Sequence, residues 1–192
     1  MIRILIVDDH PALRAGLNAV LEAEPGFVVV GAADKVEQLF PLLHRTRPDV
    51  VLLDYHLPPD DGLRLCRRIK RQIPPPRVLV YSAYADARMR LPALLAGADG
   101  LLNKGAGARE LFETIRLVAG GRRALGPIGR EQLAAAAELV DGDAAPIIAM
   151  LMDDTPVPEI AKVLGVPAVA VERRLDRMLD RLRVETPAEP IA

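Results

Sequence analysis

The chain has 192 residues, a formal net charge of −1 and 51% hydrophobic residues. That length suits a domain of about 120 residues followed by a smaller one. Its single cysteine, Cys66, excludes an intrachain disulfide framework and is typical of a reducing cytoplasm. We find neither a signal peptide nor an apolar run long enough for a membrane helix, so we expect a cytoplasmic protein without membrane association.

Five short apolar segments alternate with amphipathic segments in the first two thirds of the chain. The predicted strands cover residues 2–7, 27–31, 49–53, 77–81 and 99–102. The predicted helices cover residues 11–23, 36–46, 63–71, 88–96 and 107–119. Continuously apolar strands are typical of parallel strands that helices cover on both faces. This pattern predicts an α/β domain with a doubly wound parallel sheet.

The remainder of the chain predicts only helices. Gly126-Pro127 interrupts the chain, and an alanine-rich helix is expected from Glu131 to Leu139. Three short helices are then predicted at about 142–152, 157–163 and 167–183. We therefore expect an α/β domain over 1–121, a linker over 122–138, a small all-α domain over 139–184 and a tail over 185–192.

Carboxylates follow two of the predicted strands. Asp8 and Asp9 end the run 2–7, and Asp54 ends the run 50–53. The carboxyl ends of parallel strands meet at the edge of the sheet where ligands bind. Three acids that converge there repel each other unless a hard cation lies among them, so the sequence predicts a Mg²⁺ site.

These acids belong to a longer series of motifs, which resembles the receiver domain of two-component response regulators of the LuxR/NarL type. The resemblance covers residues 1 to about 121 and implies a flavodoxin-like strand order of 2-1-3-4-5. The motifs that carry it are Asp8-Asp9-His10-Pro11, Arg14-Ala15-Gly16-Leu17, the run from Pro48 to Asp54, Asp61-Gly62, the run from Ala96 to Gly100, and Lys104.

The resemblance implies phosphoryl transfer to a carboxylate. Asp54 would be the phosphoacceptor, and a phosphohistidine on a sensor histidine kinase would be the donor. Asp9 would bind Mg²⁺ directly and Asp8 through water, with Asp54 and the backbone carbonyl of His56 as further ligands. The side chains of His10 and His56 flank the expected pocket, and we expect them to be bystanders.

Lys104 and Ser82 end two further strands at the same edge. The Lys104 ammonium would pair first with Asp54 and then with the phosphoryl group, whereas the Ser82 hydroxyl would reach a phosphoryl oxygen. Alternatively, Asp8 and Asp9 cap the first helix and Lys104 is a plain surface charge. Five matching residue types at five matching positions favour the phosphoryl site.

One position departs from the pattern of the subfamily. An aromatic residue usually lies three residues before the lysine and turns inward on phosphorylation, but here that residue is Leu101. Tyr84, two residues after Ser82, is the candidate that would gate the pocket instead. We therefore expect intact phosphorylation with altered coupling to the output.

The stretch from Glu159 to Val166 resembles the helix-turn-helix signature of LuxR-type output domains, with residues 167–183 as the recognition helix. We expect a basic stripe on that helix either to contact DNA or to pair with acids of the same helix at i+3 and i+4 spacing. The stripe consists of Arg173, Arg174, Arg177 and Arg181. A second, acidic stripe contains Glu172 and Asp176, at positions where related proteins commonly carry lysine, and Asp180 continues it at i+4 spacing.

The charge of the two parts is opposite to what duplex binding favours. Residues 1–130 carry a formal charge of +5, and residues 131–192 carry −6. The first hypothesis is a transcription regulator that binds promoter DNA as a phosphorylation-controlled homodimer. The alternative is a signalling adaptor whose acidic output domain binds a protein through Met150, Leu151, Met152 and Leu179. Residues 122–192 contain no His, Cys or phosphate loop, so we expect no enzyme beyond its own phosphorylation and dephosphorylation.

Overall fold

The protein is described here by a computed structural model that covers residues 1–58, 60–139 and 144–182. The predicted tail 185–192 lies outside the described residues. The strands are β1 (Ile2–Val7), β2 (Phe27–Ala33), β3 (Val50–Leu53), β4 (His56–Leu57), β5 (Asp60–Asp61), β6 (Arg77–Ser82) and β7 (Gly100–Asn103). The helices are α1 (Pro11–Glu22), α2 (Val36–Thr46), α3 (Gly62–Lys70), α4 (Ala87–Ala96), α5 (Ala108–Ala119), α6 (Arg130–Leu139), α7 (Ala144–Met152), α8 (Val157–Leu164) and α9 (Ala168–Arg181).

Five strands form one parallel sheet in the order β2-β1-β3-β6-β7. Counted along the chain without the short β4–β5 pair, this is the order 2-1-3-4-5, so the predicted doubly wound α/β fold is confirmed. The β4–β5 pair is antiparallel and was not predicted. Each of its strands has two residues, which is too short for a recognisable period.

Side chains of each central strand alternate between two hydrophobic layers. Leu5 and Val7 of β1 face the layer under α2, α3 and α4, whereas Ile4 and Ile6 face the layer under α1 and α5. All four side chains are buried. Each contributes about 1.5–3 kcal/mol by leaving water. This double burial explains why the strands are continuously apolar in sequence.

Helix α4 is buried on nearly all sides, because it lies between the sheet and the C-terminal helices. It contacts β7 on one side and α6, α7 and α9 on the others. Met89, Leu91, Leu94 and Leu95 are all buried in the layer that the C-terminal helices share. The helix begins where the Asp86 carboxylate accepts a hydrogen bond from the backbone N–H of Arg88.

Helices α7, α8 and α9 form a small helical domain around Ile147, Ile160, Val171 and Leu175, which are buried completely. The α8–α9 turn is a helix-turn-helix in which Gly165 adopts the left-handed conformation at the end of α8. No helix in the described parts of the chain has the length and apolar character needed to cross a bilayer.

Candidate active site

The acids that follow β1 and β3 meet at the carboxyl edge of the sheet. Asp8, Asp9, Asp54 and His10 each offer one donor atom, and these four atoms all lie within 4.8 Å of one another. The backbone N–H of Asp54 donates to the carbonyl of Val7 at 2.8 Å, which fixes the ends of the two strands side by side. Asp8 and Asp54 are buried carboxylates, so their charges require a nearby cation.

Lys104 supplies a cation to this cluster. Its Nζ lies 2.7 Å from Oδ2 of Asp54 and 2.8 Å from Oδ2 of Asp8. Burial raises the pKa of Asp54, and the hydrogen bond from Lys104 only partly opposes it. Burial lowers the pKa of Lys104, but its hydrogen bonds to Asp54 and Asp8 outweigh that effect and raise it. The Lys104 side chain is 15% exposed, which contradicts the alternative of a plain surface charge.

The segment after Asp54 folds closely over its carboxylate. The backbone N–H of His56 donates to the Asp54 side chain, and the N–H of Gly62 donates to the Tyr55 carbonyl at 2.7 Å. A Cβ at position 62 would lie 2.7 Å from the Cα of Tyr55, which is closer than van der Waals contact allows. Gly62 therefore lets α3 begin directly against the phosphoacceptor candidate.

Ser82 ends β6 beside Lys104 and is buried. Its carbonyl accepts from the backbone N–H of Lys104 at 3.0 Å, and its Oγ accepts from the backbone N–H of Tyr84 at 3.1 Å. Tyr84 and Leu101 are both half-buried against the layer that contains α4. The structure thus brings Ser82 to the pocket edge, whereas Leu101 packs on the side of the sheet that faces α4.

Sequence reasoning missed two residues that hold this edge together. The hydroxyl of Tyr81 donates to the carbonyl of Lys104 at 3.2 Å, and burial raises the pKa of that phenol. The Asn103 amide donates to the carbonyls of Ala83 and Ala85 and accepts from the N–H of Gly105. Both are polar residues at strand ends, which was the available sequence indication.

His10 lies nearer the acids than the sequence analysis expected. It precedes Pro11 at the start of α1, and its backbone N–H donates to the Asp8 carboxylate at 2.8 Å. Its Nδ1 atom lies 2.8 Å from Oδ1 of Asp9 and 3.3 Å from Oδ1 of Asp8. The structure therefore brings a ring nitrogen into the acidic cluster.

The donor set fits a hard divalent cation. Carboxylate oxygens are the ligands that Mg²⁺ prefers, and one or two of them with several waters suffice in proteins. Oδ1 of Asp9 is shielded from solvent and accepts no hydrogen bond from the described part of the chain. A bound cation would satisfy that oxygen, so the pocket of Asp8, Asp9 and Asp54 is compatible with Mg²⁺.

A second charged constellation joins α3 to α9. Nε of Arg67 lies 3.1 Å from Oδ1 of Asp176, and the same guanidinium contacts Glu172. The Arg67 side chain is only 7% exposed. Arg71 contacts the same two acids at 2.7 and 3.1 Å. We call this set the α3–α9 charge network; Arg64, which lies 2.6 Å from Asp180, completes it.

The network explains the acidic stripe on the candidate recognition helix. Its three acids lie against arginines of the α/β domain rather than being balanced within α9 alone. Of the predicted basic stripe, Arg173, Arg177 and Arg181 are exposed, and Arg174 is half-buried. The positive charge of the α/β domain and the negative charge of the helical domain therefore meet in the α3–α9 charge network.

Comparison with known proteins agrees with this geometry. Residues 4–116 match the family described as the response regulator receiver domain. The chain is 38% identical to response regulator GacA of Pseudomonas viridiflava over 134 residues, which are 70% of this chain and 63% of GacA. The matched part therefore spans less than two thirds of that relative.

Two further comparisons extend the likeness. Response regulator UvrY of Escherichia coli is 29% identical over 98% of this chain and 91% of its own length. A crystal structure of a LuxR-family two-component response regulator from Aurantimonas sp. SI85-9A1 aligns with a TM-score of 0.62 at 32% identity, covering 70% of this chain and 96% of that one. The resemblance on which the sequence analysis relied is thereby confirmed: this chain belongs to the response regulator receiver family and is a two-component response regulator.

Proposed function

We propose that Asp54 accepts a phosphoryl group from a sensor histidine kinase and that this modification controls DNA binding by the helical domain. The observation that carries the proposal is the cation bridge of Lys104 between Asp54 and Asp8 at the edge of the parallel sheet. The resulting protein would be a cytoplasmic transcription regulator. It would have no enzymatic output beyond its own phosphorylation and dephosphorylation.

The chemistry would proceed at Oδ of Asp54. That oxygen attacks the phosphorus of a phosphohistidine, the P–N bond breaks, and the imidazole leaves with the electron pair of that bond. Mg²⁺, bound by Asp8, Asp9 and Asp54, would neutralise charge on the transferred group. The Lys104 ammonium, now paired with Asp54, would move its hydrogen bond to a phosphoryl oxygen. The Ser82 hydroxyl, which accepts from the Tyr84 N–H, would donate its own hydrogen to another phosphoryl oxygen.

A continuous set of contacts links this pocket to the helical domain. Ser82 and Lys104 are joined by a backbone hydrogen bond, and Asn103 holds the carbonyls of Ala83 and Ala85 in the loop that leads into α4. Helix α4 packs directly against α9. A shift of Ser82 toward the phosphoryl group would therefore act on α4 and, through it, on α9. With Leu101 in place of the usual aromatic residue, this loop is the coupling element that we propose.

The DNA step is supported by the exposed arginines of α9. Arg173 and Arg177 lie on the side of the helix away from its core, so both are accessible to a duplex. The acids that would repel phosphates are balanced by Arg64, Arg67 and Arg71 of α3. Two copies would bind a palindromic promoter site as a homodimer, because helix-turn-helix domains read such sites in pairs.

The adaptor alternative receives less support from the contacts. Two residues suggested for its partner surface, Leu151 and Leu179, are buried in the core of the helical domain. The acidic stripe is occupied by arginines of the same chain. A protein partner would have to displace the α3–α9 charge network before it could bind that stripe.

The test is fluorescence anisotropy of the protein on its own upstream DNA across a salt series with Mg²⁺, with and without beryllofluoride. We expect beryllofluoride to strengthen binding and the affinity to fall steeply as salt rises. Asp54→Asn should remove the response to beryllofluoride and retain the basal affinity. Binding that equals that of an unrelated duplex in both states would contradict the DNA step and leave the adaptor function as the explanation.

A further inference from the structure

The histidine beside the acidic pocket is oriented toward the same point as the three carboxylates. Nδ1 of His10 lies 2.8 Å from Oδ1 of Asp9, 3.3 Å from Oδ1 of Asp8 and 3.9 Å from Oδ2 of Asp54. This atom is shielded from solvent, although the side chain as a whole is 42% exposed. The ring is therefore partly exposed, and Nδ1 lies on its shielded side, next to the carboxylates.

These separations match those of ligands that share one ion. In an octahedral shell with bonds of about 2.1 Å, adjacent donors stand about 3.0 Å apart and opposite donors about 4.2 Å apart. The distances from Nδ1 to Asp9 and Asp8 are near the first value, and the distance to Asp54 is near the second. An ion at the centre of the cluster would thus meet the nitrogen without a large movement of the ring.

We propose that His10 supplies a nitrogen ligand to the divalent ion of this pocket and increases its preference for transition-metal ions over Mg²⁺. The proposal rests on the metal site of the proposed function. Imidazole suits borderline transition metals, whereas Mg²⁺ favours oxygen donors and keeps its waters. Mn²⁺ also favours oxygen donors, but as a transition-metal ion it accepts an imidazole nitrogen more readily than Mg²⁺ does, so the nitrogen adds more to the binding of Mn²⁺.

A purely structural role would make a different prediction. If His10 only packs beside Asp9 without binding the ion, a glutamine could occupy the same place, and metal selectivity would not change. His10→Gln is therefore the informative variant, because it retains hydrogen-bonding capacity and removes the ring nitrogen. The chain has three histidines, and His44→Gln in α2 is the control, because it removes an imidazole outside the pocket.

The experiment is pulsed electron paramagnetic resonance of full-length protein loaded with Mn²⁺. Electron spin echo modulation detects a directly bound ¹⁴N nucleus. We expect this modulation in the wild type and in His44→Gln, and its loss in His10→Gln. Competition titrations should show the Mn²⁺-to-Mg²⁺ affinity ratio falling about tenfold in His10→Gln, equivalent to about 1.4 kcal/mol. Circular dichroism verifies that each variant is folded.

The outcomes separate this inference from the function on which it rests. Bound Mn²⁺ without ¹⁴N modulation in the wild type would overturn the role of His10 and leave the carboxylate site intact. Modulation that persists in His10→Gln would assign the nitrogen to another group and would also overturn it. If the wild type leaves Mn²⁺ as the free aqua ion at millimolar protein, the metal site itself fails and the inference fails with it.

Discussion

Nε of Arg67 in α3 lies 3.1 Å from Oδ1 of Asp176 in α9, across the contact between the α/β domain and the helical domain. The same guanidinium contacts Glu172, and Arg71 contacts both acids. Acidic residues on a candidate recognition helix are unfavourable for DNA binding, but here they bind another part of the protein. The acidic residues that are unsuited to DNA binding therefore form a contact between the two domains.

Charge reversal within this network should loosen the helical domain. In Asp176→Arg, the new guanidinium faces Arg67 and Arg71, and we expect a cost of about 2–3 kcal/mol to the docked state. Hydrogen exchange measured by mass spectrometry should rise in α9 and in α3. The matched control is Arg109→Ala, which breaks an exposed pair with Glu113 inside α5. Restoration of protection by the second change Arg71→Asp would identify charge as the cause, whereas unchanged exchange in Asp176→Arg would contradict it.

Removal of the buried Asp54 charge should stabilise the metal-free protein at neutral pH. Burial raises the pKa of Asp54 above its ordinary value of 3.8, against the lowering influence of Lys104. The folded state therefore binds the proton more tightly than the unfolded chain, and stability falls as pH rises from 3.8 through the raised pKa. We expect Asp54→Asn to increase the free energy of unfolding at pH 7 by about 1 kcal/mol.

The gain should disappear as the pH falls below 3.8, where the wild-type carboxyl becomes protonated in both the folded and the unfolded state. Urea unfolding in EDTA across a pH series measures the difference in the free energy of unfolding between Asp54→Asn and the wild type. Asp153→Asn, which removes an exposed carboxylate, is the control. A gain of the same size at every pH would show that the charge of Asp54 is not its source.

Gly62 should not tolerate a side chain. The added Cβ of Gly62→Ala would lie within 2.7 Å of the Tyr55 Cα, so the backbone beside Asp54 must move. We expect a loss of about 2 kcal/mol or more in stability. Gly16→Ala in α1 meets nothing within 4 Å and should instead stabilise the protein by about 0.5–1 kcal/mol. Thermal unfolding of both variants checks the contrast, and equal melting temperatures would disprove the close approach.

The exposed arginines of α9 should set the salt dependence of DNA binding. We expect Arg173→Ala and Arg177→Ala each to weaken binding and to reduce the slope of log affinity against log salt by about 1. Arg88→Ala, an exposed arginine at the start of α4, should leave the slope unchanged. Anisotropy across a salt series provides the slopes. Slopes that stay constant in both α9 variants would remove these two arginines from the DNA interface.

The sequence predicted most of the backbone because local patterns encode it. The five parallel strands were predicted to within two residues at either end, since each is a short apolar run between polar segments. Asp8, Asp9 and Asp54 converge as expected, because parallel topology carries strand ends to one edge. The predicted tail and the beginning of the seventh helix, at 142 and 143, lie outside the described residues.

Other features depend on which surfaces meet, and a local pattern does not contain that information. The partners of Glu172 and Asp176 lie about a hundred residues away in sequence, on a helix that pattern analysis treated only as part of the first domain. Leu151 was a candidate for an exposed partner surface, but the packing of α7 buries it. His10 was expected to be a bystander at the edge of the pocket, and the sequence did not indicate that its Nδ1 lies 2.8 Å from Asp9.

By itself, the sequence determined the elements and the residues that end each strand, because apolar periodicity and strand-end chemistry are local properties. The order of the strands in the sheet followed from the resemblance to receiver domains. Only the tertiary structure decided how the acidic face of α9 is neutralised, how α4 is enclosed and how His10 approaches the acids. Those outcomes depend on distances of a few ångströms between segments far apart in the chain, where Coulomb energy and packing change steeply with separation.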